Sequence, residues 1–233
     1  MARKIKIDNA ILKRRARKEQ KRAQNNKPVR QYYLIVCEGE KTEPNYFEAL
    51  KLKLPRGVLK LKNIDINGTG KNTVSIIREA KKLRKAYKKQ HTRVIDKLWV
   101  VFDRDSFPPQ NFNNAINEAE TSKPKIYCAW TNEAFELWYL LHFNYYDSAI
   151  TRDRYKILIE KAVNKASGQK NFKYKKNSPN MYDILDKYGD QNLAIKNSKT
   201  LEKEYSDKSY ANHNPCTRVH VLVGELYSMK NKQ

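Results

Sequence analysis

The chain has 233 residues, 39% of them hydrophobic, and carries 48 Lys and Arg against 25 Asp and Glu, a formal net charge of +23. That apolar content supports a packed core and excludes a disordered chain, while the charge exceeds what solubility needs and calls for a polyanionic partner. No apolar run approaches the ~20 residues of a membrane-spanning helix and no signal peptide is recognisable, so the sequence predicts a cytoplasmic protein with no membrane partner.

Residues 1–30 hold twelve Lys and Arg, among them Arg14, Arg15 and Arg17, against Asp8 and Glu19. With few large apolar side chains, this stretch reads as a basic arm. It is either a solvated leader or a segment that orders as a helix on the phosphates of a nucleic acid.

From Tyr32 strand and helix signals alternate, the pattern of a parallel-sheet α/β domain over residues 31–145. The first strand, about 32–37, ends in Glu38-Gly-Glu-Lys-Thr-Glu43. A helix opens near Pro44, with Phe47, Leu50 and Leu54 on its apolar face. A second strand spans about 59–66, and Gly68-Thr-Gly70 then turns the chain into a helix beginning near Asn72 or Thr73. Its apolar stripe is Ile76, Ala80, Leu83 and Tyr87. The opposite face carries a row of cations that includes Lys81 and Lys85, either simply solvated or in contact with phosphates.

The third strand, 97–102, runs into Asp103-Arg-Asp105, and a helix is expected over about 111–121. The fourth, 125–130, passes through Thr131 and Asn132, read as helix caps, into a very apolar helix over 133–143. Glu136 falls in its first turn, where either the helix dipole or a functional site accounts for a buried carboxylate. Beyond residue 145 strand signals stop. Helices are expected near 152–166, 180–187, 190–205 and 215–228, giving a helical region over 146–233. Between the first two lies Lys170-Asn-Phe-Lys-Tyr-Lys-Lys176, in which Phe172 and Tyr174 alternate with Lys170, Lys173 and Lys175. Rings that stack on unpaired bases beside lysines that neutralise phosphates suit single-stranded or looped nucleic acid, and a plain exposed loop is the alternative.

Strand ends are where α/β proteins put chemistry. Parallel neighbours bring the acidic tips at Glu38 and Asp103/Asp105 together, and carboxylates so placed repel one another unless a cation sits between them. A hard divalent ion, Mg²⁺ or Mn²⁺, fits that role. Cys37, Cys128 and Cys216 lack a CxxC pairing and read as reduced structural thiols. The four histidines show no metal-ligand spacing and read as structural too.

Leu34-Ile-Val-Cys-Glu-Gly-Glu-Lys-Thr-Glu-Pro-Asn-Tyr-Phe47, Val101-Phe-Asp-Arg-Asp105, Asn132-Glu-Ala-Phe-Glu-Leu-Trp-Tyr-Leu-Leu-His-Phe143 and Asn214-Pro-Cys-Thr-Arg-Val-His-Val-Leu-Val223 together resemble a Toprim domain. That module occurs in bacterial primases, topoisomerases and overcoming-lysogenization-defect nucleases, and within the group the chain is most similar to the RloB-like family. The resemblance implies a Rossmann-like parallel sheet flanked by helices and a metal-dependent phosphodiesterase site. Glu38, Asp103 and Asp105 would hold the catalytic cation, Glu136 would occupy the late acidic position, and Glu40 or Glu43 would help to place a second ion. A lysine usually steadies the transition-state charge in such sites, and Lys196 is the candidate. The implied setting is phage defence, as an endonuclease acting on RNA, tRNA among the candidates, or on DNA. A defence-system partner or a second copy of the chain would be a further partner.

Two rival readings remain. Phe102-Asp-Arg-Asp105 also resembles the aspartate loop of haloacid-dehalogenase-type phosphatases, but Phe107 stands where that family has Thr or Val, and the Glu38 cluster is left unexplained. The other rival is a catalytically silent nucleic-acid-binding protein, which the charge supports equally. A P-loop NTPase is excluded, because Gly68-Thr-Gly-Lys-Asn-Thr73 has Asp65 where the first glycine of GxxxxGK[ST] belongs.

Overall fold

The computed structural model describes residues 9–24, 31–39, 41–64, 73–104 and 107–230. The chain divides into two units, residues 1–30 and 31–233. In the first, the basic arm forms a helix, α1 (Asn9–Gln24), on which Arg14, Arg15 and Arg17 are exposed.

The second unit is built on β1 (Tyr33–Glu38), β2 (Leu59–Ile64), β3 (Lys97–Asp103), β4 (Ile126–Asn132) and β5 (Cys216–Thr217), in the spatial order β2-β1-β3-β4-β5. β1 pairs in parallel with β2 and β3, β3 pairs in parallel with β4, and β5 runs antiparallel to β4. β1 is buried at every position, as a strand with a neighbour on each side and helices on both faces must be, which is why it reads as a continuous apolar run. β2 is an edge strand, with Lys60 and Lys62 exposed.

Side chains alternate between two cores. On one face, Leu34, Val36, Leu98, Val100 and Phe102 pack with Ile76, Ile77 and Ala80 of α3 (Thr73–Gln90) and with Phe112, Ala115, Ile116 and Ala119 of α4 (Pro109–Thr121). On the other, Ile35, Cys37, Trp99 and Val101 meet Phe47 and Leu50 of α2 (Thr42–Leu52) and the apolar side of α5 (Glu136–Leu140). The same core continues into α6 (Arg152–Ser167), α7 (Met181–Tyr188), α8 (Gln191–Lys203) and α9 (Val219–Lys230). Local chemistry sets the helix ends. Gly168 closes α6 in the left-handed conformation at φ 71°, and the Asp190 carboxylate accepts the N–H groups of Asn192 and Leu193 at the start of α8.

The fold is the expected mixed α/β sheet flanked by helices, with differences around β4. Thr131 and Asn132 do not cap a helix. The Thr131 hydroxyl lies 2.9 Å from that of Thr217, and the Asn132 amide donates to the Ala211 carbonyl at 2.9 Å, so both residues extend the strand and bind the returning chain. The apolar segment after them is correspondingly short as a helix. β5 was not expected, and because residues 216–217 are committed to it, the last helix begins at Val219 rather than at 215. The Gly68-Thr-Gly70 turn and the end of the expected second strand lie outside the described residues. Among the described residues no helix is long and apolar enough to cross a membrane.

Candidate functional site

The chain passes from β1 to β2 on one side and then returns across β1 to β3 on the other. The sheet therefore has its topological switch point between β1 and β3, and the carboxyl ends there flank the crevice in which open α/β sheets bind ligands. Glu38 ends β1 and Asp103 ends β3, with Cys37 in register with Val101 just below. Gly39 follows at φ 77°, a conformation that an L side chain resists, and its missing Cβ would meet nothing within 4 Å. The glycine is thus needed for backbone turning rather than for space.

By alternation Asp103 shares the face of Trp99 and Val101, the side of the sheet that carries α2 and α5. These two helices bring in Glu43, in the first turn of α2, and Glu136, the first residue of α5. Glu38, Glu43 and Glu136 are 7%, 8% and 5% exposed. The Phe135 N–H donates to Asp103 Oδ2 at 2.8 Å, whereas Asp103 Oδ1 is buried with no hydrogen-bond partner. Glu136 Oε1 accepts the Tyr174 hydroxyl at 2.8 Å.

Mutual repulsion is written into the titration of these acids. Burial raises Glu43 from 4.5 to about 7. The charge of Glu136 adds to the rise, against its own backbone N–H and the positive charges of Lys176 and Arg152. Asp103 is held well above the ordinary range, first by burial and then by Glu43, Glu136 and Glu38, with the Phe135 N–H opposing. The four acids thus form one electrostatic group centred on Asp103. Their donors are all oxygen, the set that a hard cation takes, and the unsatisfied Oδ1 is a further acceptor for it. Among the described residues, no three His, Cys, Asp or Glu side chains converge into a ready ligand set. Asp105 and Glu40 lie outside the described residues.

Other expected site residues divide. Tyr174 is not free to stack on bases: it is 5% exposed, packs in the main core, and spends its hydroxyl on Glu136. Phe172 is half-buried against the same core, with its backbone N–H and C=O both bound by the Asn164 side chain. Lys170, Lys173 and Lys175 are exposed, and Lys173 stands 3.5 Å from Glu160. Lys85 is exposed, whereas Lys81 is engaged by Glu118 at 2.8 Å. Lys196 is exposed on α8, and the cations acting most on Glu43 are Lys176 and Arg152 instead. Neither Arg152 nor the Tyr174 hydroxyl carries a sequence signal, since both join the group only through the packing of α6 and its following loop. His142 is buried in the core, with Nδ1 2.8 Å from the Trp138 carbonyl and its pKa lowered to about 4 by burial.

A family model described as RloB-like protein matches residues 33–226. No curated protein and no solved structure matches the chain.

Proposed function

The chain belongs to the RloB-like family, and on that premise we propose that it is a metal-dependent nuclease that hydrolyses phosphodiester bonds in RNA or DNA. The observation that carries the reading is the group of mutually repelling, buried carboxylates at the β1/β3 switch point of a chain with net charge +23. A basic protein gains nothing in stability from burying like charges together, and perturbed carboxylates at a strand-end crevice favour a functional site. Glu38, Asp103 and Asp105, with Glu43 and Glu136, would hold Mg²⁺ or Mn²⁺ in a Toprim-like arrangement. The bound ion would supply Lewis-acid polarisation of the phosphoryl oxygen and a water acidic enough to attack.

The chain's own residues do the rest. Asp103, anchored through Oδ2 by the Phe135 N–H, keeps its buried Oδ1 as an unused acceptor. Lys176 and Arg152 place positive charge beside Glu43, where a phosphate of the substrate would otherwise meet only acids. Hydrolysis joins a water oxygen to phosphorus and breaks one P–O ester bond, with a proton delivered to the leaving oxygen. No protein nucleophile is required. The biological setting that goes with this activity is phage defence.

The test is incubation with end-labelled RNA and DNA in Mg²⁺, Mn²⁺ or EDTA, beside Asp103→Asn. Cleavage that needs the cation and disappears in the variant supports the reading. The absence among the described residues of a converged ligand set favours one competitor, a silent nucleic-acid-binding protein. In the same assay it would shift the mobility of the probe and never shorten it.

A further inference from the structure

The segment from Gly168 to Asn180 joins α6 to α7, and it is tied down at three separate elements. On α6, Asn164 binds both backbone polar groups of Phe172, and Glu160 accepts the Tyr174 N–H at 3.0 Å. On α5, Glu136 accepts the Tyr174 hydroxyl at 2.8 Å. At the start of α2, beside Glu43, the Asn177 side chain accepts from the Thr42 hydroxyl at 3.1 Å, and its carbonyl accepts from Asn45 at 3.0 Å. Between these anchors the residues alternate. Phe172 and Tyr174 turn inward, while Lys173, Lys175 and Lys176 are exposed.

We propose that this segment is a substrate strap in which Lys173, Lys175 and Lys176 grip the phosphodiester backbone while Tyr174, from the inner side, is the positioning residue for Glu136. The inference rests on the nuclease reading for its substrate, but its geometry stands independently. Two of the four acids, Glu136 and Glu43, sit on helices that the strap holds directly. Phenylalanine would fill the core as well as tyrosine does, so the hydroxyl is the informative atom. A grip on phosphate outside and a fixed carboxylate inside are then joined through a single residue.

The experiment uses the full chain and two variants. Tyr174→Phe is expected to bind Mn²⁺ about tenfold more weakly by calorimetry without nucleic acid, and to cleave with kcat lowered about tenfold and KM unchanged. Its affinity for a single-stranded oligonucleotide in EDTA should match wild type. The triple variant Lys173→Ala, Lys175→Ala, Lys176→Ala should do the converse, weakening oligonucleotide binding and reducing its salt slope by about two, with no loss of Mn²⁺ affinity, since the positive charge of Lys176 beside Glu43 is removed. Wild-type Mn²⁺ affinity in Tyr174→Phe would make Tyr174 a packing residue and overturn the positioning role. An unchanged affinity and salt slope in the triple variant would overturn the strap. Should a variant melt early, acetylation of these three lysines in the wild-type protein decides: protection by the oligonucleotide supports the strap, and equal labelling refutes it. The metal and binding measurements do not depend on cleavage, so a chain that never cuts would sink the nuclease reading while the strap is still decided.

Discussion

Asp103 Oδ2 accepts the Phe135 N–H at 2.8 Å, which makes the aspartate at the end of β3 the group that fixes the turn into α5. One oxygen of the carboxylate is structural and the other, Oδ1, is buried without a partner beside three further acids.

Asp103→Asn should therefore separate stability from function. The amide keeps an acceptor for the Phe135 N–H and removes a group whose ionisation is resisted by burial and by three neighbouring acids, so the metal-free protein should gain on the order of 1–2 kcal/mol, or ~2–6 °C in melting temperature. Cleavage in Mg²⁺ or Mn²⁺ should vanish. A variant that melts lower than wild type in EDTA would show that the aspartate is held chiefly by favourable contacts.

Glu43 and Asp103 hold protons more tightly in the folded chain than in the unfolded one, so folded protein binds the extra protons and is weakened as they leave. The loss sets in above the ordinary carboxylate range and, for Glu43, is complete once pH passes its raised value of about 7. A rise from 4.5 to about 7 amounts to on the order of 3 kcal/mol. Melting in EDTA should show wild type losing more stability than Glu43→Gln between about pH 5 and about pH 8. Millimolar Mg²⁺ should narrow that difference. Parallel curves for the two proteins would remove Glu43 from the account.

Gly39→Ala should cost ~1–2 kcal/mol, the penalty for placing a side chain in the left-handed region, since the space around the missing Cβ is open. Asn, which tolerates that region better, should recover part of the loss. Denaturant unfolding checks both, and equal losses for Ala and Asn would point to a close contact instead of backbone conformation.

Deletion of residues 1–30, a unit separate from the sheet, should leave the melting temperature of the remainder within a few degrees. Nucleic-acid affinity should fall and its salt dependence become shallower, because α1 exposes Arg14, Arg15 and Arg17 among its cations. An identical salt slope after truncation would make the arm irrelevant to binding.

What could be read from the residues depended on the range of the interaction concerned. The inner parallel strands β1, β3 and β4 are legible as runs of apolar β-formers and β2 as leucine alternating with lysine, and the meeting of the acidic ends of β1 and β3 follows from topology. Glu136 was legible as an acid opening an apolar segment. β5 was not, because two residues carry no periodicity and pair only where β4 offers an edge. Tyr174 was misjudged for a related reason: alternating Lys and aromatic residues suit an exposed loop and an extended strap alike, and only the position of Glu136, 38 residues earlier, distinguishes them. Lys196 was chosen for its helix, and the fold brings charge to Glu43 from α6 and the strap instead.

The lysines of β2 have a bearing on self-association. The sheet ends at this strand, and Lys60 and Lys62 stand exposed along it. A strand from another molecule joining there would have to accept two ammonium groups beside its own side chains and strip them of water. The excess of positive charge that draws the protein to polyanions thus also guards its open flank against growth into aggregates at high concentration.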